Sequence, residues 1–370
     1  MIIGIPREIK DEEHRVGLTP FNAQELVNHG HHVIVERGAG DGIGFTDDHY
    51  REAGVEIVDT HDEIFARADM IVKVKEPQPE ECALLREGQI LFTYLHLAPD
   101  LKQAEALMKS GCIAIAYETV TDHRGGLPLL IPMSQVAGRL SIQAGAFCLE
   151  KHNGGIGVLL GGVPGVNPGK VVVIGGGVVG TNAIRMAMGR EAMVTVLDKS
   201  LHRLQELDQR FGGRLNTAYA SAANIEEYVI DADLVVGAVL IPGGSAPKVV
   251  TREHLKQMRD GSVIVDVAID QGGCFETSRP TKHSDPTYVE EGVVHYCVTN
   301  MPGAVPRTST LALNNATLPF VIALANKGYK VALQEDQHLL NGLNVYRGHI
   351  THKGVAKDLG KPYKAFSDLC

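Results

Sequence analysis

Residues 170–180 read Lys-Val-Val-Val-Ile-Gly-Gly-Gly-Val-Val-Gly, and this stretch decides the class of fold. The apolar run predicts a buried strand, the glycines form a G-x-G-x-x-G turn, and the residues after them predict a helix. Gly175 makes the tight turn, Gly177 lets a pyrophosphate approach the backbone, and Gly180 lets helix and strand pack closely. Strand, turn and helix in this order predict a dinucleotide-binding unit, in which the helix N-terminus faces the phosphates. A tight turn without a ligand is the competing interpretation.

The residue that closes the next predicted strand is acidic. Residues 193–197 predict that strand, and Asp198 follows it, 21 residues after Gly177. A carboxylate at this position accepts hydrogen bonds from both ribose hydroxyls of an adenosine and repels a 2′-phosphate. We therefore predict that the cofactor is NAD rather than NADP.

Short apolar runs alternate with amphipathic segments on both sides of this turn. Before it, strands are predicted at residues 2–5, 32–36, 70–75, 90–95 and 112–117, and helices at 21–28, 47–53, 80–85 and 99–109. From the turn onward, strands are predicted at residues 171–174, 193–197, 234–238, 262–267 and 293–297. Strands that alternate with helices are joined by crossovers, so both series predict mostly parallel sheets.

Two longer helical segments separate these series. They lie at residues 134–152 and 308–324, and Pro319 predicts a bend in the second. The simplest architecture is α/β, with two doubly wound Rossmann-like domains joined by long helices, the N-terminal domain being discontinuous. We predict a substrate-binding, catalytic domain from residues 1–128 and 306–370, and an NAD-binding domain from residues 129–305.

Composition and charge narrow the class of partner. The net charge of −9 gives no electrostatic reason to expect a nucleic acid or an anionic membrane as a partner. The six cysteines include no C-x-x-C pair, which favours reduced thiols in a cytoplasmic protein. No signal peptide is visible, and no apolar stretch approaches the roughly 20 residues that span a bilayer. We therefore expect a cytoplasmic protein without a membrane partner.

Five polar residues stand where the predicted strands end. Ligands of open α/β sheets bind beyond the carboxyl ends of the strands, so this position selects Arg15, Lys75, Tyr94, His96 and Asp270. Each of them alone also fits a structural role, such as a solvated strand end, a cap or a turn. The chain has no G-x-S-x-G or Walker A sequence and no zinc-ligand spacing among its histidines, which disfavours hydrolases, kinases and zinc enzymes.

Several collinear segments resemble the alanine dehydrogenases. They are Gly-Ile-Pro-Arg-Glu at 4–8, Glu-His-Arg-Val-Gly-Leu-Thr-Pro at 13–20, Lys-Val-Lys-Glu-Pro at 73–77, Tyr-Leu-His-Leu-Ala at 94–98, Asp-Val-Ala-Ile-Asp-Gln-Gly-Gly at 266–273 and Asn-Met-Pro-Gly at 300–303. The opening segment is shared with the soluble domain of proton-translocating transhydrogenases and with saccharopine dehydrogenases, so it identifies only the superfamily. His96 and Asp270, in a chain of this length, narrow the resemblance to alanine dehydrogenase.

This resemblance implies reversible oxidative deamination of L-alanine to pyruvate and ammonium, with hydride transfer to NAD⁺, in a cytoplasmic homohexamer. It implies that Arg15 and Lys75 hold the substrate carboxylate and carbonyl, with Tyr94 also in the substrate site. His96 is then the general acid/base, and Asp270 is the second catalytic group.

The resemblance also implies cofactor contacts beyond the three glycines. These come from Ser134, Val178, Val179, Asp198, Arg203, Val239, Leu240, Val267, Ile269, Val298, Asn300 and Met301. Residue 220 is alanine where the family pattern has a serine on the adenine side, although Ser221 is adjacent. The metal site of some members is not matched because residue 327 is lysine, so no metal is predicted.

Three other functions remain open from the sequence. A saccharopine dehydrogenase would act on a far larger amino acid joined to 2-oxoglutarate. A transhydrogenase subunit would bind NAD(H) and work with a separate membrane chain, without needing His96 and Asp270. A non-catalytic NAD-binding protein would bind the cofactor and turn over no substrate.

Overall fold

The structure is a computed structural model that describes residues 1–239 and 246–369. Its strands are β1 (Ile2–Ile5), β2 (His32–Glu36), β3 (Glu56–Val58), β4 (Met70–Val72), β5 (Ile90–Thr93), β6 (Ile113–Ala116), β7 (Lys170–Ile174), β8 (Met193–Asp198), β9 (Leu215–Tyr219), β10 (Leu234–Gly237), β11 (Val263–Asp266), β12 (Thr287–Glu290), β13 (Val293–Tyr296), β14 (Leu343–Tyr346) and β15 (His349–Ile350).

Helices connect most of these strands. They are α1 (Pro20–Asn28), α2 (Asp47–Glu52), α3 (His61–Arg67), α4 (Pro79–Leu84), α5 (Leu101–Ser110), α6 (Ile131–Cys148), α7 (Val178–Gly189), α8 (Leu201–Phe211), α9 (Ala222–Ile230), α10 (Arg252–Leu255), α11 (Pro306–Glu335), α12 (Gln337–Leu340) and α13 (Lys353–Leu359).

The chain divides into two compact units. Unit 1 comprises Met1–Met133 and Val305–Cys370, and unit 2 comprises Ser134–Ala304. The chain leaves unit 1 within α6 and returns to it just before α11. The prediction of an α/β fold with two Rossmann-like domains and a discontinuous N-terminal one is confirmed.

The sheet of unit 1 has the strand order β15-β14-β6-β5-β4-β1-β2-β3. Strands β1 to β6 pair in parallel, and β14 pairs antiparallel to β6. The chain adds β2 and β3 on one side of β1 and β4 to β6 on the other, so the order reverses between β1 and β4. Ligands of such sheets bind where the order reverses, which selects the loops after β1 and β4.

The sheet of unit 2 has the strand order β12-β13-β11-β10-β7-β8-β9. All its neighbouring pairs are parallel except β12 with β13. Here the order reverses between β7 and β10. The glycine-rich turn at residues 175–180 follows β7 and therefore lies at this reversal.

The sequence patterns missed several edge elements. Strands β3, β9 and β12 were not predicted, because they lie at or near sheet edges and carry few buried apolar side chains. Helix α11 continues through Pro319, the residue at which the sequence predicted a bend. The backbone of α11 instead leaves helical values at Gly328, where a φ of 72° suits a residue without a Cβ.

Helix α11 is also the one described helix whose length and composition would allow it to cross a membrane. In the structure 44% of its apolar window is buried. The side-chain amide of Asn314, on this helix, donates to the carbonyl oxygens of Val16 and Gly17 and accepts from the N–H of Thr19. Helix α11 is thus tied through buried hydrogen bonds to the loop that precedes α1.

A buried charge network lies beneath the reversal point of unit 1. The Lys73 ammonium, 1% exposed, is 3.0 Å from a Glu8 oxygen and 2.6 Å from a Glu81 oxygen. His61 continues the network, with one ring nitrogen 3.2 Å from Glu81 and the other 2.7 Å from Glu36. Burial lowers the pKa of His61, but its bonds to Glu36 and Glu81 outweigh this effect and raise the pKa to about 9. His61 is therefore charged at neutral pH and offsets the carboxylates.

We predict that His61 makes the free energy of unfolding fall as the pH rises from 6.5 to about 9. Because the pKa is raised in the folded chain, the stabilisation is fully present below pH 6.5 and lost as the pH passes the folded value. The shift corresponds to roughly 3 kcal/mol. Urea unfolding, followed by circular dichroism at several pH values, measures this slope. The His61→Gln variant cannot titrate here, so an equal slope in variant and wild type would contradict the assignment.

Candidate functional site

The glycine-rich turn of unit 2 has three different local environments. Gly175 has a φ of 98°, and a Cβ there would lie 2.6 Å from the Ala238 carbonyl oxygen after β10. A Cβ on Gly180 would lie 1.8 Å from the Gly175 oxygen, so helix α7 approaches the turn only because residue 180 is glycine. A Cβ on Gly177 would meet no described atom within 4 Å. The turn is therefore closed at Gly175 and Gly180 and open at Gly177.

Helix α7 begins directly at this opening. Gly177 is its N-cap residue and has no side chain with which to cap the first N–H groups. Such groups need a partner, and a helix N-terminus favours an anion. Val178 is exposed and Val179 half-buried, which leaves this end accessible. The residues present fit the pyrophosphate of a dinucleotide.

Asp198 lies at the end of β8, where the sequence placed it. One carboxylate oxygen accepts from the Gly176 N–H at 2.7 Å and the other from the Ser200 N–H at 2.8 Å. The carboxylate thus fixes the central glycine of the turn. Each oxygen has a second lone pair, so ribose hydroxyls can still donate to it.

The Arg203 side chain forms hydrogen bonds with the glycine-rich turn itself. Its Nε donates to the Gly176 oxygen at 2.6 Å, its Nη2 to the Thr181 hydroxyl at 2.6 Å, and its Nη1 to Glu206. The sequence predicted a cofactor contact for Arg203. The structure shows that its guanidinium supports the loop that would hold the cofactor.

The other predicted cofactor residues lie on neighbouring loops of the same sheet. Val239 follows β10, Val267 and Ile269 lie in a short 3-10 helix after β11, and Val298, Asn300 and Met301 follow β13. In the sheet, β13, β11, β10 and β7 are successive neighbours. The loops that follow them therefore lie side by side at the carboxyl ends of these strands. Leu240 lies outside the described residues.

Ser134 reaches this region from helix α6. One turn further along α6, a Cβ on Gly138 would lie 2.2 Å from the Val179 oxygen, so α6 packs closely on the start of α7. Residues four apart share a helix face. Ser134 is therefore on the side of α6 that packs against α7.

Asp270 is exposed on the 3-10 helix Val267–Gln271. The loop that carries it is fixed by Asp266, which is fully buried at the end of β11. The Asp266 carboxylate accepts from the N–H groups of Ala268 (3.1 Å) and Cys274 (2.9 Å) and from the Ser278 hydroxyl (2.5 Å). Burial raises the pKa of Asp266, and these hydrogen bonds act in the opposite direction.

Lys75 lies on the loop after β4 in unit 1, and a buried carboxylate fixes this loop too. Glu8, from the loop after β1, accepts from the N–H groups of Val74 at 2.6 Å and Lys75 at 3.4 Å. On the other side, the Thr93 hydroxyl donates to the Lys75 oxygen at 2.8 Å. Glu8 therefore joins the two loops at the reversal point.

Arg15 is 2% exposed and is oriented by Glu13. The Nε and Nη2 atoms of Arg15 each donate to a different Glu13 oxygen at 2.6 Å, and the Arg15 N–H donates to Glu13 at 3.0 Å. Its Nη1 is 3.1 Å from the Met133 sulfur. Glu13 thus occupies one edge of the guanidinium, and the Nη1–Nη2 edge is the second edge suited to a carboxylate.

His96 lies just past β5, exposed, with its ring stacked on Tyr94 (centroids 5.7 Å apart, planes 8° from parallel). The Tyr94 hydroxyl donates to the Leu129 oxygen at 2.6 Å, so this group is engaged with the backbone. The N–H groups of Leu95 and His96 donate to the Glu118 carboxylate. Tyr94 was predicted to bind substrate, and in the structure its ring supports His96.

Glu76 is an acid of this region that the sequence did not single out. It pairs with Lys10 through one oxygen, and its other oxygen is buried without a hydrogen-bond partner among the described residues. Burial raises its pKa, but the charges of Lys75, Lys10 and His96 lower it overall. Lys75 and His96 therefore lie close enough to one carboxylate to influence it, as neighbouring strand ends require.

The sequence also missed the carboxylates that hold the site residues in place. These are Glu8, Glu13, Glu118 and Asp266. Glu8, Glu13 and Asp266 stood in the segments quoted in the sequence analysis, and this was an available signal. Glu118 directly follows the strand predicted at residues 112–117, but its partners at residues 95 and 96 depend on the sheet order, which places β6 beside β5. Among the described residues, no group of three or more His, Cys, Asp or Glu could hold a metal ion.

Comparisons with known proteins cover almost the whole chain. Residues 4–137 match the family model "Alanine dehydrogenase/PNT, N-terminal domain", and residues 141–353 match "Alanine dehydrogenase/PNT, C-terminal domain". The chain is 58% identical to the alanine dehydrogenase of Halomonas elongata and 57% identical to alanine dehydrogenase 2 of Staphylococcus aureus, each over 369 residues. These alignments cover 100% of this chain and 100% and 99% of the two relatives.

Solved structures agree with these relatives. An L-alanine dehydrogenase matches with a TM-score of 0.94 and 53% identity, covering 100% of both chains. A transhydrogenase from Sinorhizobium meliloti matches with a TM-score of 0.82 and 24% identity, covering 95% of this chain and 99% of that one. At that identity the second likeness shows the fold alone.

Two glycines of the turn make a matched pair of variants. We predict that Gly177→Ala leaves the stability of unit 2 nearly unchanged but weakens dinucleotide binding by at least about tenfold, because its Cβ occupies the open space. Gly180→Ala places a Cβ against the Gly175 oxygen and should lower the melting temperature by several degrees. Thermal unfolding and NADH fluorescence titration measure both effects. Unweakened NADH binding in the folded Gly177→Ala variant would contradict phosphate binding at this turn.

Proposed function

The chain belongs to the alanine dehydrogenase/PNT family, and on this premise we propose that it catalyses the reversible NAD-dependent oxidative deamination of L-alanine to pyruvate and ammonia. The observation that carries the proposal is 58% identity, over the full length of both chains, to an alanine dehydrogenase. The likeness to the transhydrogenase rests on the fold and does not favour a second function.

The proposed cofactor is NAD, held by unit 2. NAD⁺ supplies a nicotinamide ring that accepts the hydride from the substrate. The open turn at Gly177 and the N-terminus of α7 would hold its pyrophosphate, and Asp198 would accept from the ribose hydroxyls. The loops after β10, β11 and β13, which contain Val239, Ile269 and Asn300, would flank the bound NAD.

The proposed substrate residues lie in unit 1. Arg15 would bind the alanine carboxylate through its Nη1–Nη2 edge, while Glu13 holds the other edge and fixes the plane of the guanidinium. Lys75 would polarise the carbonyl oxygen of pyruvate in the reductive direction. The Glu8 carboxylate fixes the backbone at Lys75 and so helps to aim its side chain.

Two groups would move the protons. As hydride leaves Cα, the amine loses a proton and an imine forms; water then adds to give a carbinolamine, from which ammonia departs. His96 is exposed beyond β5, and an imidazole has one nitrogen that can accept a proton and another that can donate one, so it would serve as the general acid/base. Asp270, as a carboxylate, would accept a proton from water or amine and favour the cationic iminium form.

Finer proposals on assembly, location and substrates follow from the resemblance, and the bounds of the two domains follow from the sequence pattern. We propose that the chain assembles as a homohexamer and works in the cytoplasm on L-alanine, pyruvate and ammonium. We also propose that residues 1–128 and 306–370 serve the substrate and residues 129–305 the cofactor, close to the unit boundaries at 133/134 and 304/305.

We predict that the purified protein oxidises NADH only when pyruvate and ammonium are both present. The physical reason is that the reduced product forms from the imine of pyruvate, which needs both. Absorbance at 340 nm measures the reaction, and 2-oxoglutarate with lysine replaces pyruvate and ammonium as the rival substrate pair. Turnover of the rival pair alone would contradict the proposal, and NADH binding without any turnover would favour a non-catalytic role.

The same assay tests the two proposed proton-transfer groups. His96→Ala and Asp270→Asn should each lower kcat by roughly two to four orders of magnitude, the range expected for a lost general acid or base. NADH affinity should stay within about threefold of wild type. Near-wild-type turnover in either variant would remove that residue from the mechanism.

We predict that Asp198→Ala lowers the ratio of NAD to NADP efficiency at least about tenfold, equivalent to about 1.4 kcal/mol. In wild type the ribose hydroxyls donate charge-assisted hydrogen bonds to Asp198, worth about 1.5–3 kcal/mol each, whereas a 2′-phosphate is repelled. Lys199, exposed next to it, can pair with the phosphate in the variant. Steady-state kinetics with both cofactors measure the ratio.

Asp198→Asn is the matched control, because Asp198 also fixes Gly176. The amide keeps one acceptor oxygen but removes the charge. If charge sets the preference, both variants shift the ratio, and only Asp198→Ala loosens the turn as well. An unchanged ratio in both variants would show that Asp198 does not meet the ribose.

A further inference from the structure

The backbone of His96 adopts an unusual conformation. Its φ is 48°, within the left-handed region that a residue with a Cβ rarely adopts. Such a conformation persists only where the surrounding structure holds it, and it is common at functional sites. The question is therefore which contacts hold the chain in this conformation at residue 96.

The side chain of His96 contacts one well-fixed neighbour. Its ring stacks on Tyr94, which is anchored by the hydroxyl bond to Leu129 and packs edge-on against Tyr117, with centroids 5.1 Å apart. The Tyr94 ring therefore covers one face of the imidazole. This contact does not fix the orientation of the peptide that precedes His96.

That peptide is held by a carboxylate from the next strand. Glu118 lies in the 3-10 helix Tyr117–Thr119, directly after β6, which pairs with β5. One Glu118 oxygen accepts from the His96 N–H at 2.6 Å, and both oxygens are 3.2 Å from the Leu95 nitrogen. The Leu95 carbonyl oxygen accepts from the Gln103 amide at 3.0 Å, so the peptide between Leu95 and His96 is bound on both sides.

We propose that Glu118 is a positioning residue for the reaction: its carboxylate holds the backbone of residues 95 and 96 in the conformation that presents the His96 imidazole to the substrate. This inference rests on the proposed function of His96. The two consecutive N–H groups point at one carboxylate, an arrangement that an extended strand, with alternating N–H directions, does not produce. The Glu118 bonds fix the peptide that precedes His96, and the unusual φ of His96 then sets the direction of its side chain from that fixed peptide.

The chemistry of the acceptor gives the proposal a graded test. A carboxylate offers two charged oxygens to the two N–H groups, and charged hydrogen bonds are stronger than neutral ones. Glu118→Gln keeps the shape and one acceptor oxygen. Glu118→Leu keeps similar bulk and removes both acceptors. A positioning role therefore orders the three proteins as wild type, then Gln, then Leu.

We predict that kcat for pyruvate reduction falls about tenfold in Glu118→Gln and at least about a hundredfold in Glu118→Leu, since misplacing a reacting group by about 1 Å costs roughly that much. The Michaelis constant for pyruvate and the dissociation constant of NADH should stay within about threefold of wild type. A merely structural role would lower stability without this graded split between kcat and the binding constants.

Hydrogen–deuterium exchange supplies a readout that does not depend on activity. The peptide containing residues 95 and 96 should exchange at least about tenfold faster in Glu118→Leu than in wild type. Asp122→Asn is the matched control: the Asp122 carboxylate accepts from the N–H groups of Arg124 and Gly126, both at 2.8 Å, in a turn of the same unit. This variant should leave both kcat and exchange at residues 95 and 96 unchanged.

The outcomes separate this proposal from the proposed function. Faster exchange at residues 95 and 96 with kcat within twofold of wild type would overturn the positioning role, and so would unchanged exchange in Glu118→Leu. If Glu118→Leu does not fold, wild-type kcat in Glu118→Gln would overturn it equally. An inactive wild type would refute the proposed function, while the exchange comparison would still test the contact.

Discussion

At four described strand ends, carboxylate oxygens accept hydrogen bonds from backbone N–H groups of the loop that carries a predicted site residue. Glu8 does so after β4, Glu118 after β5, Asp266 after β11 and Asp198 after β7. Strand ends lack the ladder bonds that would otherwise fix them, and charge-assisted bonds of about 1.5–3 kcal/mol each replace those bonds. The loops can then hold reactive side chains beyond the strand ends without being part of an α-helix or a strand.

The same constraint links the chemistry of unit 1 to its stability. Glu8 fixes the Lys75 loop and also belongs to the buried network with Lys73, Glu81 and His61. Removing one member of such a network leaves an uncompensated buried charge and is strongly destabilising. Oxidation of alanine releases a proton, so alkaline conditions favour pyruvate formation, while they also neutralise His61. Loss of the His61 charge above about pH 9 therefore removes one cation from this network in the alkaline range that favours the oxidative reaction.

The sequence was informative where the pattern is local. The turn at residues 175–180 and the acid at Asp198 could be predicted, because strand, glycines, helix and acid have fixed spacing. The short edge strands β3, β9 and β12 could not, since exposed strands carry little apolar periodicity. Glu118 was out of reach because its role depends on β6 lying beside β5. The hydrogen bond from Arg203 to the Gly176 oxygen could not be predicted either. The spacing of residues places a side chain near a loop but does not show which atom it binds.

Transfer of deuterium from the substrate to the cofactor tests the proposed activity most directly. L-Alanine labelled with deuterium at Cα would be incubated with the protein and NAD⁺, and the products examined by NMR and mass spectrometry. Oxidative deamination predicts one deuterium at C4 of the nicotinamide in each NADH formed, together with equal amounts of pyruvate and ammonium. Absence of turnover, or unlabelled NADH formed alongside pyruvate, would contradict direct hydride transfer from alanine and with it the proposed function.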